Sequence, residues 1–135
     1  TVVLEGEPVS GHGLLPLHDG ALILGHRERS VERLAWNGSR QQVGELSRDR
    51  ANITAHWIDP ERFIVIGGGL VIDQAELVSW SGGNCQSIQT LSLEYLRSGH
   101  ASVLIQRDPF PPHILVVGGT DEYGGMHTAV EVFVP

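Results

Sequence analysis

The apolar residues of this chain fall in short runs, each closed by a polar or glycine-containing break, and the spacing inside the runs is that of strands. Ala21 to Leu24, Phe63 to Ile66 and Ile114 to Val117 are nearly continuous, as expected of strands covered on both faces. Val31 to Trp36, Ala75 to Trp80 and Ala129 to Val134 alternate instead, and Gln41 to Leu46 and Ser87 to Leu91 follow the first two of these after a turn. Shorter strands are expected ahead of each buried run, at Gly11 to Leu15, Ala55 to Ile58 and His100 to Ile105. Helical spacing competes only around Glu28 to Leu34 and Leu91 to Leu96, and neither stretch sustains it.

The runs repeat. Gly11-His12, Ala55-His56 and Gly99-His100 stand 44 residues apart, and so do Trp36 and Trp80. A fixed period of this kind marks an array of similar units. The units are about 8–48, 49–92 and 93–135, the third with longer turns at Gln106 to Pro112 and Thr120 to His127. Residues 1–7 form an unassigned strand that could complete another unit, because the third has no fourth strand before Pro135.

Seventeen glycines and seven prolines in 135 residues, with 41% hydrophobic content, agree with many short strands in a single cored, soluble domain. Nine Lys plus Arg against 16 Asp plus Glu give a net charge of -7, which leaves no basic surface for nucleic acid. No apolar run is long enough for a bilayer-spanning helix, and the first residues do not read as a signal peptide. The single Cys85 excludes an internal disulfide and suits a reducing, cytoplasmic setting. The triplets Asn37-Gly38-Ser39 and Asn52-Ile53-Thr54 have the glycosylation pattern, which matters only in a secreted protein. The start at Thr1 and the stop after a strand-like segment raise the expectation of a piece of a longer polypeptide.

The segments "RSGHASVL", "HILVVGG" and "AVEVFVP" in the third unit, with Gly67-Gly68 and "AELVSW" in the second, resemble the kelch repeat. In the first unit His26 replaces the second glycine. The resemblance implies an all-β fold, a kelch-type β-propeller segment of about three four-stranded antiparallel blades. Propellers typically have about four to eight blades. Three blades therefore imply association with the rest of a propeller, another chain or another copy. In this reading Gly67, Gly68, Gly118 and Gly119 are structural, at places where a side chain would hinder packing. His12, His56, His100, Trp36 and Trp80 mark the repeat.

The residue before each glycine- or alanine-histidine pair is Ser10, Thr54 or Ser98, a hydroxyl in every unit, and the resemblance places this position at the channel mouth. Arg97 beside Ser98 could hold a partner's carboxylate. The loops Arg27 to Ser30, Val71 to Gln74 and Thr120 to His127 leave one rim. The last carries Asp121, Glu122 and Tyr123 with Met126, which are suited to contact. Arg107 to Pro112, with Phe110, is a further loop candidate.

A ring of His12, His56 and His100 would invite a metal, but equivalent residues of neighbouring blades stay apart, so no metal or other cofactor is expected. No local motif pairs a nucleophile with a base, and Tyr95, Tyr123 and Cys85 do not make the paired set of a copper radical site. The function expected is a protein-interaction scaffold that binds a protein or peptide through rim loops and channel-mouth residues, without catalysis in this segment alone. The alternative is the propeller part of a larger enzyme, such as a tRNA wybutosine-synthesis type methyltransferase.

Overall fold

The computed structural model describes residues 11–25, 29–69 and 73–135, and every regular element in it is a strand. The first sheet contains β1 (Gly13–Leu17), β2 (Gly20–Leu24), β3 (Ser30–Ala35) and β4 (Arg40–Glu45), paired in chain order and antiparallel. The second repeats this with β5 (Thr54–Asp59), β6 (Arg62–Ile66), β7 (Gln74–Ser81) and β8 (Asn84–Ser92). The third has β9 (Ala101–Ile105), β10 (His113–Val117) and β11 (Val130–Phe133), with β10 in the middle. Among the described residues no helix is long and apolar enough to cross a membrane.

The sheets stack face to face. Leu22, Leu24 and Val31 of the first meet Phe63, Val65 and Val78 of the second. Ile64, Ile66 and Leu77 on the opposite face of the second meet Ile114, Val116 and Phe133 of the third. This double use explains why β6 is continuous in apolar residues: four of its five positions are buried. β10 has the same composition but exposes Val117, because no third interface covers that face. The first strands lie side by side, β1 against β5 and β5 against β9. Trp57 on β5 ties the first pair: its Nε1 donates to the Pro16 carbonyl at 2.9 Å, and its ring meets Phe63 edge-on at 5.3 Å.

The strand pairings correct one part of the expected register. Leu22, Ile64 and Leu115 occupy the same place, and so do their partners Leu15, His56 and Val103. The residue level with His12 and His100 is therefore Ile53, not His56, which lies inside a strand. Backbone geometry agrees, since Gly11, Asn52 and Gly99 all have φ between 56° and 66°. These three are joined laterally, Asn52 N donating to Gly11 O at 2.5 Å and Gly99 N to Asn52 O at 3.1 Å. The spacings are thus 41 and 47 residues rather than 44 twice. Thr54 consequently does not share a position with Ser98. The tryptophan register holds, because Trp36 and Trp80 each come directly after equivalent residues, Ala35 opposite Gly20 and Ser79 opposite Arg62.

Candidate functional site

In an antiparallel meander, the chain reaches the first strand at the same end as the loop joining the second to the third. The lead-in segments 46–53 and 93–100 therefore share a rim with residues 67–69 and 73 and with loop 118–129. Three expected features fall outside the described residues: Ser10, the N-terminal strand over 1–7, and His26 with the neighbouring Arg27. Part of the Val71 to Gln74 loop does so as well.

Two buried arginines organise this rim. Arg50 pairs through Nε with Glu76 at 3.2 Å, and both side chains are fully buried. Its Nη1 donates to Gly67 O and Gln74 O, both at 2.7 Å, which clamps the two ends of one loop. Glu76 also accepts from Ser47 N at 2.6 Å and Ser47 Oγ at 2.9 Å. Burial lowers the Arg50 pKa, and the Glu76 carboxylate works against that shift.

The third unit has the same clasp. Arg97 Nη1 donates to Gly118 O at 2.7 Å and Ala129 O at 3.1 Å, Nε lies 3.5 Å from Glu131, and Glu131 accepts from Glu94 N at 2.7 Å. Arg97 thus does not reach outward for a partner's carboxylate; it has no exposed surface and serves its own sheet. Composition alone did not reveal this role, although an arginine four residues ahead of β5 and β9 and a glutamate in β7 and β11 were a usable signal.

The glycines fit the clasp. Gly67 has φ +64°, and a Cβ there would lie 2.5 Å from His100 Cε1 and 2.7 Å from Arg97 O. Only glycine occupies that space and that backbone region without displacement. Gly118 has φ +70° at the equivalent place, but its surroundings are open. Gly68 packs on Ile53 and Ala51, and Gly119 on His100 and Ser98.

Between the second and third sheets runs a line of four polar side chains. His56 Nε2 lies 2.7 Å from Ser102 Oγ, Ser102 Oγ lies 2.6 Å from Thr54 Oγ1, and Thr54 lies 2.9 Å from His100 Nε2. Each hydroxyl in the line can donate or accept, so the four groups satisfy one another in either direction, with the two histidine tautomers setting which. Ser102 is the member that sequence reading missed, and nothing in its local sequence distinguished it. Ser98 is buried, and its backbone pairs with Thr120 in both directions.

Burial, helped by Arg97 and His56, pushes the His100 imidazole down to about 4, and burial lowers His56 as well. The unfolded imidazole titrates near 6.5. The folded value lies below it, so the stability these neutral rings contribute is present above about 6.5 and is lost as the pH falls toward 4. His100 should remove up to about 1.4 kcal/mol per pH unit across that window, and His56 acts in the same direction. Denaturation at several pH values would read this slope, and His100→Gln should flatten most of it.

No protein-family model and no curated protein matches this chain. The surface chemistry must therefore be read from the rim itself.

Of the expected contact residues, Thr54, Arg97, Ser98 and Asp121 are engaged inside the protein. Glu122 and Tyr123 point outward. Asp121 Oδ1 accepts from Tyr123 N at 2.8 Å and Gly125 N at 2.7 Å, and Asp121 N donates to Gly125 O at 3.0 Å. This closed turn displays Tyr123, 87% exposed, and Met126, 86% exposed. His127 follows, its ring 5.3 Å from that of Tyr95, and Arg97 lies 5.4 Å from the Tyr95 ring on the inner side.

The opposite end is different. Trp36 is exposed there, as is Phe110 in the Arg107 to Pro112 loop. A cleft of about 440 Å³ lies between the first two sheets, lined by Trp80, His18 and the Asp19–Arg33 ion pair. Cys85 is half-buried and packed on the first core, and burial raises its thiol pKa to about 12, which removes it from thiolate chemistry at neutral pH. Among the described residues no His, Cys, Asp and Glu side chains group as a metal site.

Proposed function

We propose that this chain is a kelch-type propeller segment acting as a protein-interaction module, and that the loop from Thr120 to His127 is its principal contact. The propeller reading is supported by consecutive four-stranded meanders with side-by-side first strands, and by the glycines and buried arginines that recur with them. The observation that carries the functional reading is the closed turn around Asp121, which holds Tyr123 and Met126 out in solvent.

Ordering a loop on binding costs conformational entropy, and a loop already closed by four hydrogen bonds among residues 121–125 avoids much of that cost. Tyrosine and methionine then supply apolar contact area, and Glu122 beside them favours a partner with a basic group near an apolar recess. Asp121, seen from this side, positions the turn.

Tyr123→Ser combined with Met126→Ser is the direct test, since both residues are exposed and the fold should keep its Tm. Wild-type and variant protein would be immobilised in parallel and their specific captured partners compared. Loss of a partner by the variant, at roughly tenfold or greater cost in affinity, is the expected result. Equal capture by both proteins would sink the reading.

A further inference from the structure

We propose that the cleft between the first two sheets is a binding site for a neutral sugar ring. The proposal is independent of the rim loop, because the cleft lies at the opposite end of the sheets. The pairing registers place Arg33 opposite Leu22 in the first sheet and Leu77 opposite Ile64 in the second. Leu22 and Ile64 occupy the same place, so Arg33 stands where the next sheet has a leucine. Leu77 is 6% exposed and closes the junction with the third sheet, in one cluster with Ile114 and Val116. Arg33 does not close the first junction in this way. It lines a cleft of about 440 Å³ instead.

Asp19 accompanies the exchange. Its carboxylate pairs with Arg33 Nη2, and its backbone carbonyl accepts from Trp36 N just as the Glu61 carbonyl accepts from Trp80 N. The second unit therefore holds Glu61 and Leu77 where the first holds Asp19 and Arg33, and these two cannot pair. The ion pair is no part of the repeat. Packing alone does not ask for an arginine at a leucine position, and departures of this kind fall at functional sites.

The lining decides the class of ligand. The volume falls within the roughly 300–1,000 Å³ of small-molecule sites. Trp80 supplies an aromatic wall on the second-sheet side, fixed by its packing on the first core and by the bond from its N to Glu61 O at 2.7 Å. The C–H groups of a sugar ring are slightly positive and rest on the negative face of an indole. Asp19 and Arg33 line the first-sheet side, with His18 beside them. Their charges cancel, which removes any preference for a charged ligand. One bond between them leaves a carboxylate oxygen and several guanidinium N–H groups in use by neither, and neighbouring sugar hydroxyls can donate to the first while accepting from the second.

An array of immobilised glycans ending in neutral hexoses, deoxyhexoses and N-acetylhexosamines, with uronic and sialic acids beside them, tests this on the labelled chain. Binding to one or more of the neutral sugars is expected, with at least a tenfold loss in affinity for Asp19→Ala. Arg33→Leu, which installs the residue of the second junction, should lose as much while its Tm stays at or above that of the wild type, so that lost binding does not report unfolding. Titration with the free monosaccharide then separates the two sources: comparable affinity identifies a soluble sugar, and affinity confined to the array identifies a glycan terminus, and either supports the site. Binding to no neutral sugar, binding to acidic sugars only, or undiminished binding by either variant would overturn the proposal.

Discussion

Replacing Glu76 by alanine is expected to destabilise the protein by about 3–5 kcal/mol, the range for removing one partner of a buried ion pair. For a chain of this size that is a fall of roughly 10–20 °C in Tm. The carboxylate is fully buried and accepts from Arg50, from Ser47 N and from Ser47 Oγ, so its loss strands a guanidinium and a backbone donor together. Whole domains are stable by only about 5–15 kcal/mol, which makes this single change a large fraction of the total.

The double variant Arg50→Met, Glu76→Leu separates the two parts of that cost. Apolar replacement of a buried pair is often neutral or better, so the double variant should recover much of what Glu76→Ala loses. Ser47 N would still lack its acceptor and should hold the recovery below completion. Thermal unfolding of the three proteins decides the matter. A loss under about 1 kcal/mol in the single variant would show that the clasp adds little to stability.

The second large effect is expected from Gly67→Ala. Left-handed backbone costs a residue with a Cβ about 1–2 kcal/mol, and crowding of a packed interior adds about 1–3. The crowding is specific here: the new methyl would press on the His100 ring and on Arg97 O, at the seam between the second and third sheets. Gly118→Ala supplies the internal control, with φ +70° and open surroundings, so it should cost only the backbone share. Denaturant titration of both variants should separate them by more than about 1 kcal/mol. Equal losses would mean that strain alone explains these glycines and that the seam yields easily.

Much of the fold was legible in the sequence because a strand covered on both faces has a composition of its own. Phe63 to Ile66 and Ala21 to Leu24 could be assigned without knowing their neighbours, and turns after Trp36 and Trp80 closed the hairpins. The lead-in segments were less legible, since their lengths vary while their endpoints do not. Spacings of 41 and 47 residues average to 44, and the chance placement of His56 at that average hid the equivalence of Ile53 with the other two histidines. Asn52 contributed to the same error, being a residue with a Cβ in a conformation that Gly11 and Gly99 adopt easily.

The candidate site was legible only in part. The exposed turn around Tyr123 could be expected from its polarity and glycines, and it lies where the alternation of strands and loops placed it. Arg97, Ser98 and Thr54 could not be sorted from surface residues, because their hydrogen-bond partners are distant in sequence: Ala129 is 32 residues from Arg97, and Ser102 is 48 from Thr54. Polar residue type was visible, but the direction of the side chain was not.

The double grip of each buried arginine has a consequence for how such a surface could diversify. One guanidinium holds Gly67 and Gln74, and another holds Gly118 and Ala129, so each fastens both ends of one inter-strand loop. The second of these loops is longer than the first, yet both are fastened alike. Closing a longer loop costs little additional entropy, about 0.6 kcal/mol per doubling. The loop is thus an exchangeable cassette on a fixed mount: its length and side chains can drift toward new partners while the sheet beneath remains the same.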